Sequence, residues 1–316
     1  PRDAVKIDMK GYTLYPSFID MYATDGVEAL TYKPVDKSPQ LNSLKEGPYY
    51  WNQAIHPEVD AVTRYKKELV KSREKFIEQG FGAVATHSAD GILRGTSVFL
   101  TIGDKKEAQV IRSQAANHYS FSKGASRQTY PSSQMGAIAL IKQFYYDAFW
   151  YQSQKEKNPT QLDNVSIEKA WENLELPQVF EAKDKLEIIR IYRTASDAGL
   201  LDHVKQLVIK GGGDAFERVE EIKKTGAALI IPVHFPKPFD MTDPYLSRFV
   251  SLATLKDWEL RPYNAYILNK NNVPFSFTTD GLKDKSSFLN QIRKTIKHGL
   301  PKNEALRALT SNPSAF

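Results

Sequence analysis

The chain has 316 residues, of which 41% are hydrophobic and 25% are charged, a composition typical of a globular protein with a sizeable core. Its formal net charge of +6 is modest, and basic residues alternate with acidic ones, which excludes the basic stripe of a nucleic-acid-binding protein. The absence of cysteine excludes disulfides and thiolate metal sites. No apolar run reaches the roughly 18 residues that a membrane span needs.

In the first half of the chain, β-rich runs alternate with helical patterns. In chain order, the patterns predict a strand over 14–22, a long aromatic loop over 47–57, a helix over 65–79, a strand over 80–86, a hairpin or an interrupted strand over 95–111, a short strand over 117–122 and a helix over 131–154. Ser132 or Ser133 is expected to cap the last helix, which is apolar around most of its circumference and should be deeply packed.

The second half repeats strand and helix more regularly. Compact apolar strands are predicted over 178–182, 206–211, 227–233 and 274–281, separated by helices over 183–198, 214–224 and 247–269, the last broken at Pro262. Such units, with nearly continuous apolar strands, indicate a parallel sheet that is buried on both faces. About eight strands in this length favour a (β/α)8 barrel, in which chemistry lies at the C-terminal ends of the strands.

Four sequence stretches carry a resemblance to a known family. They are "KIDMKGYTLYPSFIDMYATDG", "SSQMGAIALIKQFYYDAFWY", "FTTDG" and "HGLPKNEALRALTSNPSAF". In this order they resemble the amidohydrolase superfamily, most of all its imidazolonepropionase-like branch. The resemblance implies an α/β fold, a (β/α)8 TIM barrel of metal-dependent hydrolase type over residues 11–316. The flanking β-sandwich would be largely absent, with residues 1–10 as its remnant.

The family's metal-ligand positions are mostly altered in this chain. The resemblance assigns these positions to Tyr22, Thr24, Lys183, Gly211 and Asp280, with Glu181 as the alternative to Lys183. Tyr22 and Thr24 replace a His-x-His pair, and only Asp280 matches the family ligand. Zinc or iron needs about three or four protein ligands of suitable type. The resemblance therefore implies that no metal is bound, and the alternative is a single zinc or iron ion.

The altered positions allow both functional and structural interpretations. Tyr22 and Thr24 lie two residues apart in a strand, so they should share a face. They could bind a ligand at the barrel mouth, but the favoured interpretation is that they bond each other and fill the space of the missing histidines. Lys183 and Lys210 follow strands, and either could replace the charge of the ion by pairing with Asp280 or Glu181, or could simply be solvated.

Two other features near strand ends also leave alternatives open. His87 and His234 follow the second and seventh strands and could join Asp280 in a rebuilt site, although a satisfied polar role is the simpler interpretation of each. The "KGGGD" segment before a helix could hold an anion, but a tight turn with Asp214 as the helix cap is favoured.

The resemblance extends to the first unit of exported bacterial proteins that carry two amidohydrolase-like domains in tandem. It implies a pseudoenzyme in the periplasm or cell envelope, which acts as a structural or regulatory partner of a catalytic domain in the same polypeptide. The resemblance also allows a homo-oligomer. One alternative is an active hydrolase of amide or peptide-like C–N bonds around Asp280. Another is a module that binds a sugar or peptide at the barrel mouth through Tyr49, Tyr50 and Trp51.

Overall fold

The structure is a computed structural model that describes residues 7–30, 45–67, 72–102, 109–157, 163–240, 242 and 245–316. Residues 1–6 of the predicted flanking segment lie outside this part of the chain, as do residues 68–71 of the predicted first helix and 103–108 of the predicted hairpin. None of the helices in the described ranges is long and apolar enough to cross a bilayer.

Ten strands form two sheets in the described part of the chain. The strands are β1 (Phe18–Ala23), β2 (Phe81–Thr86), β3 (Leu93–Thr96), β4 (Val98–Thr101), β5 (Val110–Arg112), β6 (Asn117–Tyr119), β7 (Gln178–Glu181), β8 (Leu207–Lys210), β9 (Ala228–Pro232) and β10 (Phe275–Thr278). One sheet has the order β1-β2-β4-β5 and the other has the order β10-β9-β8-β7-β6-β3. The four strands of the second half are shorter than predicted but lie where the sequence indicated.

The strand direction departs from the predicted parallel arrangement at one place. The pairs β1–β2, β6–β7, β7–β8, β8–β9 and β9–β10 are parallel, whereas β3 and β4 run antiparallel to their neighbours. The connection from β2 to β3 holds only residues 87–92, which is too short for a helical crossover, so the chain must turn back. The antiparallel β4–β5 pair confirms the predicted hairpin.

Backbone pairing in the described residues does not close the predicted barrel. On one side, β3 and β4 are separated only by Ser97, whose N–H donates to Ala116 O, so this run joins the two sheets. On the other side, β1 and β10 face each other without a ladder in the described pairings. There, Ile19 N–H donates to Leu309 O and Phe277 N–H donates to Ala308 O, so the C-terminal segment fills the seam. The fold is a mixed α/β arrangement that resembles a barrel.

Eleven α-helices are described, and most of them cover the outer faces of the sheets. They are α1 (Ala61–Arg64), α2 (Arg73–Glu78), α3 (Gln134–Lys155), α4 (Val165–Glu172), α5 (Lys185–Asp197), α6 (Val219–Lys224), α7 (Leu252–Leu260), α8 (Asn264–Lys270), α9 (Phe288–Lys297), α10 (Lys302–Arg307) and α11 (Ser311–Ala315). Pro262 lies in a 3₁₀ turn between α7 and α8, which confirms the predicted break. Such a turn suits proline, which lacks the N–H that a helix interior requires.

The longest helix, α3, agrees with its prediction in position but not in depth. Ser133 caps it by accepting a hydrogen bond from Gly136 N–H. One face is buried, whereas Met135, Tyr146 and Trp150 expose 80%, 51% and 59% of their surface. The expectation of deep packing was therefore wrong, because apolar residues around the whole circumference do not require that every face has a partner.

Alternating residues of the strands divide the core in two. Phe180, Ile209 and Leu229 belong to the large cluster that the helices cover. Their neighbours on the other face, such as Val179 and Val208, form a smaller cluster with Tyr22. Because side chains alternate along a strand, the face that carries Val179 and Val208 also carries Glu181 and Lys210 two residues later.

Candidate functional site

Four charged side chains form an ion-pair network where these strands end. Glu181 ends β7, Lys210 ends β8, Asp280 follows β10 by two residues, and Arg94 lies in β3. The Lys210 Nζ atom lies 2.5 Å from Asp280 Oδ2 and 3.3 Å from Glu181 Oε1. The Arg94 Nη1 atom lies 2.8 Å from Glu181 Oε2. We call these four residues the ion-pair network.

The ion-pair network balances its own charge. Two cations face two carboxylates, and the cations are the more deeply buried, because Arg94 exposes 4% and Lys210 9% of their surface. Buried charges are tolerated when each has an opposite partner. Burial by itself raises the pKa of Glu181, but the charges of Arg94 and Lys210 outweigh it and the pKa is lowered. The Glu181 carboxylate is therefore ionised at neutral pH.

Tyr22 lies against both cations of the network. Its hydroxyl oxygen accepts a hydrogen bond of 3.2 Å from Arg94 Nη1, and Lys210 Nζ lies 4.7 Å from the centre of its ring. Burial raises the pKa of Tyr22 far above its ordinary value, so the phenol remains neutral. Tyr22 thus adds a neutral acceptor and an aromatic face, which a cation favours.

His87 and His118 are stacked beside Tyr22. The two imidazole centroids are 3.8 Å apart, and both rings contact the Tyr22 ring, at 4.5 and 5.9 Å. Both residues are buried, and their four ring nitrogens have no hydrogen-bond partner among the described residues. Burial, with the charge of Arg94 as a further cause, lowers the pKa of each ring well below its ordinary value. We call these two neutral residues the histidine pair.

A buried carboxylate in β1 links the two strands at the seam. Asp20 Oδ2 accepts hydrogen bonds from the backbone and hydroxyl of Thr279, and Asp20 Oδ1 accepts one from Tyr22 N–H. The Thr278 hydroxyl in turn donates to Tyr22 O. Burial raises the pKa of Asp20, although these donors oppose the shift. Side-chain bonds thus take the place of a backbone ladder between β1 and β10 and fix the position of Asp280.

Two residues that the sequence proposed for the site, Thr24 and Lys183, lie away from it, and His234 lies at its edge. Thr24 is exposed because β1 ends at Ala23, so the two-residue periodicity that should have placed it beside Tyr22 no longer holds. Lys183 is exposed at the start of the helical connection, whereas Lys210 joins the network. His234 is also exposed and does not join His87, but its ring lies near Gly281, next to Asp280. Burial lowers the pKa of His234, and the charges of Asp280 and Lys210 also affect it.

The "KGGGD" segment is a tight turn, and backbone geometry requires glycine at its first glycine position, Gly211. Gly211 has φ +137°, and a Cβ atom there would lie 2.2 Å from Ala182 O. This close approach explains the glycine without reference to a ligand. The predicted cap was wrong, because the Asp214 side chain accepts a hydrogen bond from Lys185 N–H instead of capping the following turn.

The aromatic loop mostly packs against the core. The buried Tyr50 hydroxyl donates to Asp147, and Trp51 stacks on Tyr130 at 6.3 Å. Tyr49 alone of the three predicted platform residues exposes more than a third of its surface, at 38%. This arrangement offers little aromatic surface to a sugar or peptide.

The donors at the strand ends do not fit a zinc or iron ion. In the described part of the chain, no three His, Asp or Glu side chains are grouped so that they could hold a metal. Glu181 and Asp280 already direct their oxygens at Lys210, so a divalent ion between them would meet an ammonium group. A metal site needs free, deprotonated ligands in a suitable geometry.

Sequence reasoning missed Arg94, His118 and Asp20. Arg94 stands alone between apolar residues in "GILRGTSVFL", and a buried arginine requires an acceptor, which is a usable signal. Its partner Glu181 is far away in the sequence, and the antiparallel turn that places Arg94 next to it was not predicted.

Comparisons with known proteins identify the fold. No protein-family model and no curated protein matches this chain. A search of solved structures found the crystal structure of an amidohydrolase from Thermotoga maritima MSB8, with a TM-score of 0.71 and 19% sequence identity. The match covers 100% of this chain and 79% of the other. At this identity the likeness shows the fold alone, so the chain has a TIM-barrel-like fold similar to that of an amidohydrolase.

Proposed function

We propose that this chain is an amidohydrolase-like domain that has lost its metal centre and acts as a non-catalytic structural or regulatory partner of a hydrolase domain that cleaves C–N bonds. The observation that carries the proposal is the position of Lys210 between Asp280 and Glu181. A side-chain cation lies where a metal-dependent hydrolase would present carboxylates to an ion.

The pairing within the ion-pair network also makes Asp280 and Glu181 poor general bases. A general base must direct a free lone pair at the proton that it removes. Asp280 Oδ2 faces an ammonium group at 2.5 Å, and both Glu181 oxygens face cations. The carboxylates are therefore held as partners of Lys210 and Arg94, which stabilises the fold without an ion.

The finer parts of the proposal are supported by sequence motifs. The stretch at 6–26 and the C-terminal stretch at 298–316 support the imidazolonepropionase-like branch and a barrel domain over 11–316. The resemblance to the first unit of tandem bacterial proteins supports export, and a catalytic domain of the same polypeptide as the partner.

One observation favours a second candidate, an active hydrolase of amide or peptide-like bonds. Asp280 keeps 34% of its side chain exposed at the strand ends, so one of its oxygens is within reach of solvent. In this reading Asp280 would be the base of a rebuilt site.

Hydrolysis assays separate the two candidates. The chain is purified with and without added zinc and iron and incubated with a panel of amides and small peptides, in parallel with Asp280→Asn. The proposal predicts no turnover in any preparation. Turnover by the wild-type chain that is lost in Asp280→Asn would contradict it and support the rebuilt site.

A further inference from the structure

The loop that follows β6 borders a cavity that has no part in the proposed function. Residues 123–129 and Ser132 line this cavity, whose volume is about 580 Å³. Small-molecule sites usually have volumes of roughly 300–1,000 Å³. Because β6 runs parallel to β7, the loop leaves its sheet at the same end as Glu181. The cavity therefore belongs to the end of the fold where the ion-pair network lies.

The described lining of the cavity carries positive charge only. Lys123 and Arg127 supply two cations, and none of the described lining residues is acidic. Lys123 Nζ donates a hydrogen bond of 2.7 Å to Gln128 O, which holds the ammonium group against the loop. Arg127 is exposed, and no carboxylate of the described residues pairs with it. The Asp90 carboxylate lies beside the loop but accepts a hydrogen bond of 2.6 Å from Ala125 N–H.

Uncharged hydrogen-bond donors accompany these two cations. Ser126, Thr129 and Ser132 line the cavity, and each carries a hydroxyl group. Ser132 immediately precedes Ser133, the N-cap of α3, which is a helix of 22 residues. The first N–H groups of a helix carry partial positive charge and favour an anion. Cations, hydroxyl groups and a helix N-terminus together form a lining that suits the oxygens of a phosphate group.

A buried amide group behind the loop has an unused donor. Gln53 exposes only 1% of its surface, and its Nε2 atom has no hydrogen-bond partner among the described residues. The Oε1 atom of the same amide accepts a hydrogen bond of 3.4 Å from Oγ of Ser126, which lines the cavity. Buried donors in proteins normally have an acceptor. An acceptor bound beside Ser126 would supply one, and this observation is independent of the charges of the lining.

We propose that this cavity binds the phosphate group of a small phosphorylated molecule, with Arg127 and Lys123 as the charged partners of its oxygens. The planar guanidinium group of arginine can donate two parallel hydrogen bonds to phosphate, and the ammonium group of lysine adds a point charge. The volume of the cavity favours a small molecule, because it leaves room beyond the phosphate group itself.

The proposed phosphate site is separate from the ion-pair network but shares a backbone segment with it. None of the described lining residues belongs to the network. Asp90, which holds the loop, is followed by Gly91, whose carbonyl oxygen accepts a hydrogen bond of 3.1 Å from Arg94 Nε. Phosphate binding therefore goes beyond the proposed function and does not depend on the loss of a metal centre.

A ³¹P NMR titration with inorganic phosphate, at constant ionic strength in chloride, tests the proposal on the full chain. We expect one saturable site per chain, and Arg127→Ala should weaken its affinity at least roughly tenfold, because a charge-assisted pair is lost. Arg112→Ala is the matched control, because Arg112 is an exposed arginine in β5 outside the cavity, and it should leave the affinity unchanged. No saturable binding by the wild-type chain, or an equal loss in both variants, would overturn the proposal.

A second variant tests the cavity without removing a cation. Thr129 is exposed, so Thr129→Glu should fold, and its carboxylate should repel phosphate and abolish saturable binding. Unchanged affinity in this variant would overturn the proposal. Vesicles of phosphatidylcholine with phosphatidic acid distinguish a lipid headgroup from a free ligand. Binding of the wild-type chain to these vesicles, without binding of inorganic phosphate, would contradict a small-molecule site.

Discussion

The ion-pair network and the histidine pair lie side by side but satisfy their polar atoms in opposite ways. In the network, every charge has an opposite charge within 3.3 Å. In the pair, no ring nitrogen has a partner among the described residues. A buried ion without a partner costs far more than a buried neutral group. The fold therefore tolerates the unpartnered histidines only because their low pKa keeps them neutral.

The largest effect is expected from removing the cation that two carboxylates share. Lys210→Met should lower the free energy of unfolding by about 3 kcal/mol. It leaves Glu181 paired with Arg94 alone, and among the described residues it leaves Asp280 without a cation within pairing distance. This loss is at the lower end of the range for a broken buried ion pair, because about a third of each carboxylate side chain is exposed to solvent. Urea denaturation measures it. Lys183→Met, at an exposed position, is the matched control and should change stability by less than about 0.5 kcal/mol. Equal effects would refute the role of Lys210.

Asp20 is intermediate between the ion-pair network and the histidine pair, because it is a buried carboxylate whose hydrogen-bond donors are all neutral. Asp20→Ala should cost about 2 kcal/mol, because it leaves the N–H groups of Tyr22 and Thr279 without acceptors at the seam. Asp20→Asn keeps an acceptor oxygen and should cost less. Chemical denaturation of both variants gives the comparison, and an equal loss would mean that the charge, not the hydrogen bonds, holds the seam.

Lowering the pH should reduce the free energy of unfolding through the histidine pair. Because the folded pKa of each ring lies below its unfolded value of about 6.5, the unfolded chain binds more protons at lower pH. Stability should fall as the pH drops below about 6.5, by up to about 1.4 kcal/mol per pH unit for each ring. His87→Leu with His118→Leu should flatten this dependence in urea titrations. His56, whose pKa burial lowers to about 3, remains in both chains and contributes equally. An unchanged slope would mean that the rings are not neutral in the fold.

The smallest effects are expected at Tyr22 and Thr24, which the sequence analysis placed on one face of a strand. Tyr22→Phe removes one of the two acceptors of Arg94 Nη1, which keeps Glu181, and should cost about 1 kcal/mol. Thr24→Ala should be nearly neutral, within about 0.5 kcal/mol, because Thr24 is exposed. Thermal denaturation of both variants distinguishes them. A larger loss for Thr24→Ala would restore the interpretation in which the two side chains share a face.

The positions of the strands were predicted better from the sequence than the side-chain contacts at their ends. The strands that carry Glu181, Lys210 and Asp280 were located because their apolar runs are continuous, and alternation then places Glu181 and Lys210 on one face. Thr24 was misplaced because periodicity cannot tell where a strand ends. Arg94 was missed because its role depends on an antiparallel turn between distant segments, and no local pattern encodes that pairing.

The most direct test of the central claim is elemental analysis of the wild-type chain by inductively coupled plasma mass spectrometry, after exposure to zinc and iron and dialysis without chelator. Because Lys210 and Arg94 neutralise the carboxylates at the strand ends, we predict a metal content far below one ion per chain. A content close to one zinc or iron ion per chain, lost in Asp280→Asn, would contradict the loss of the metal centre.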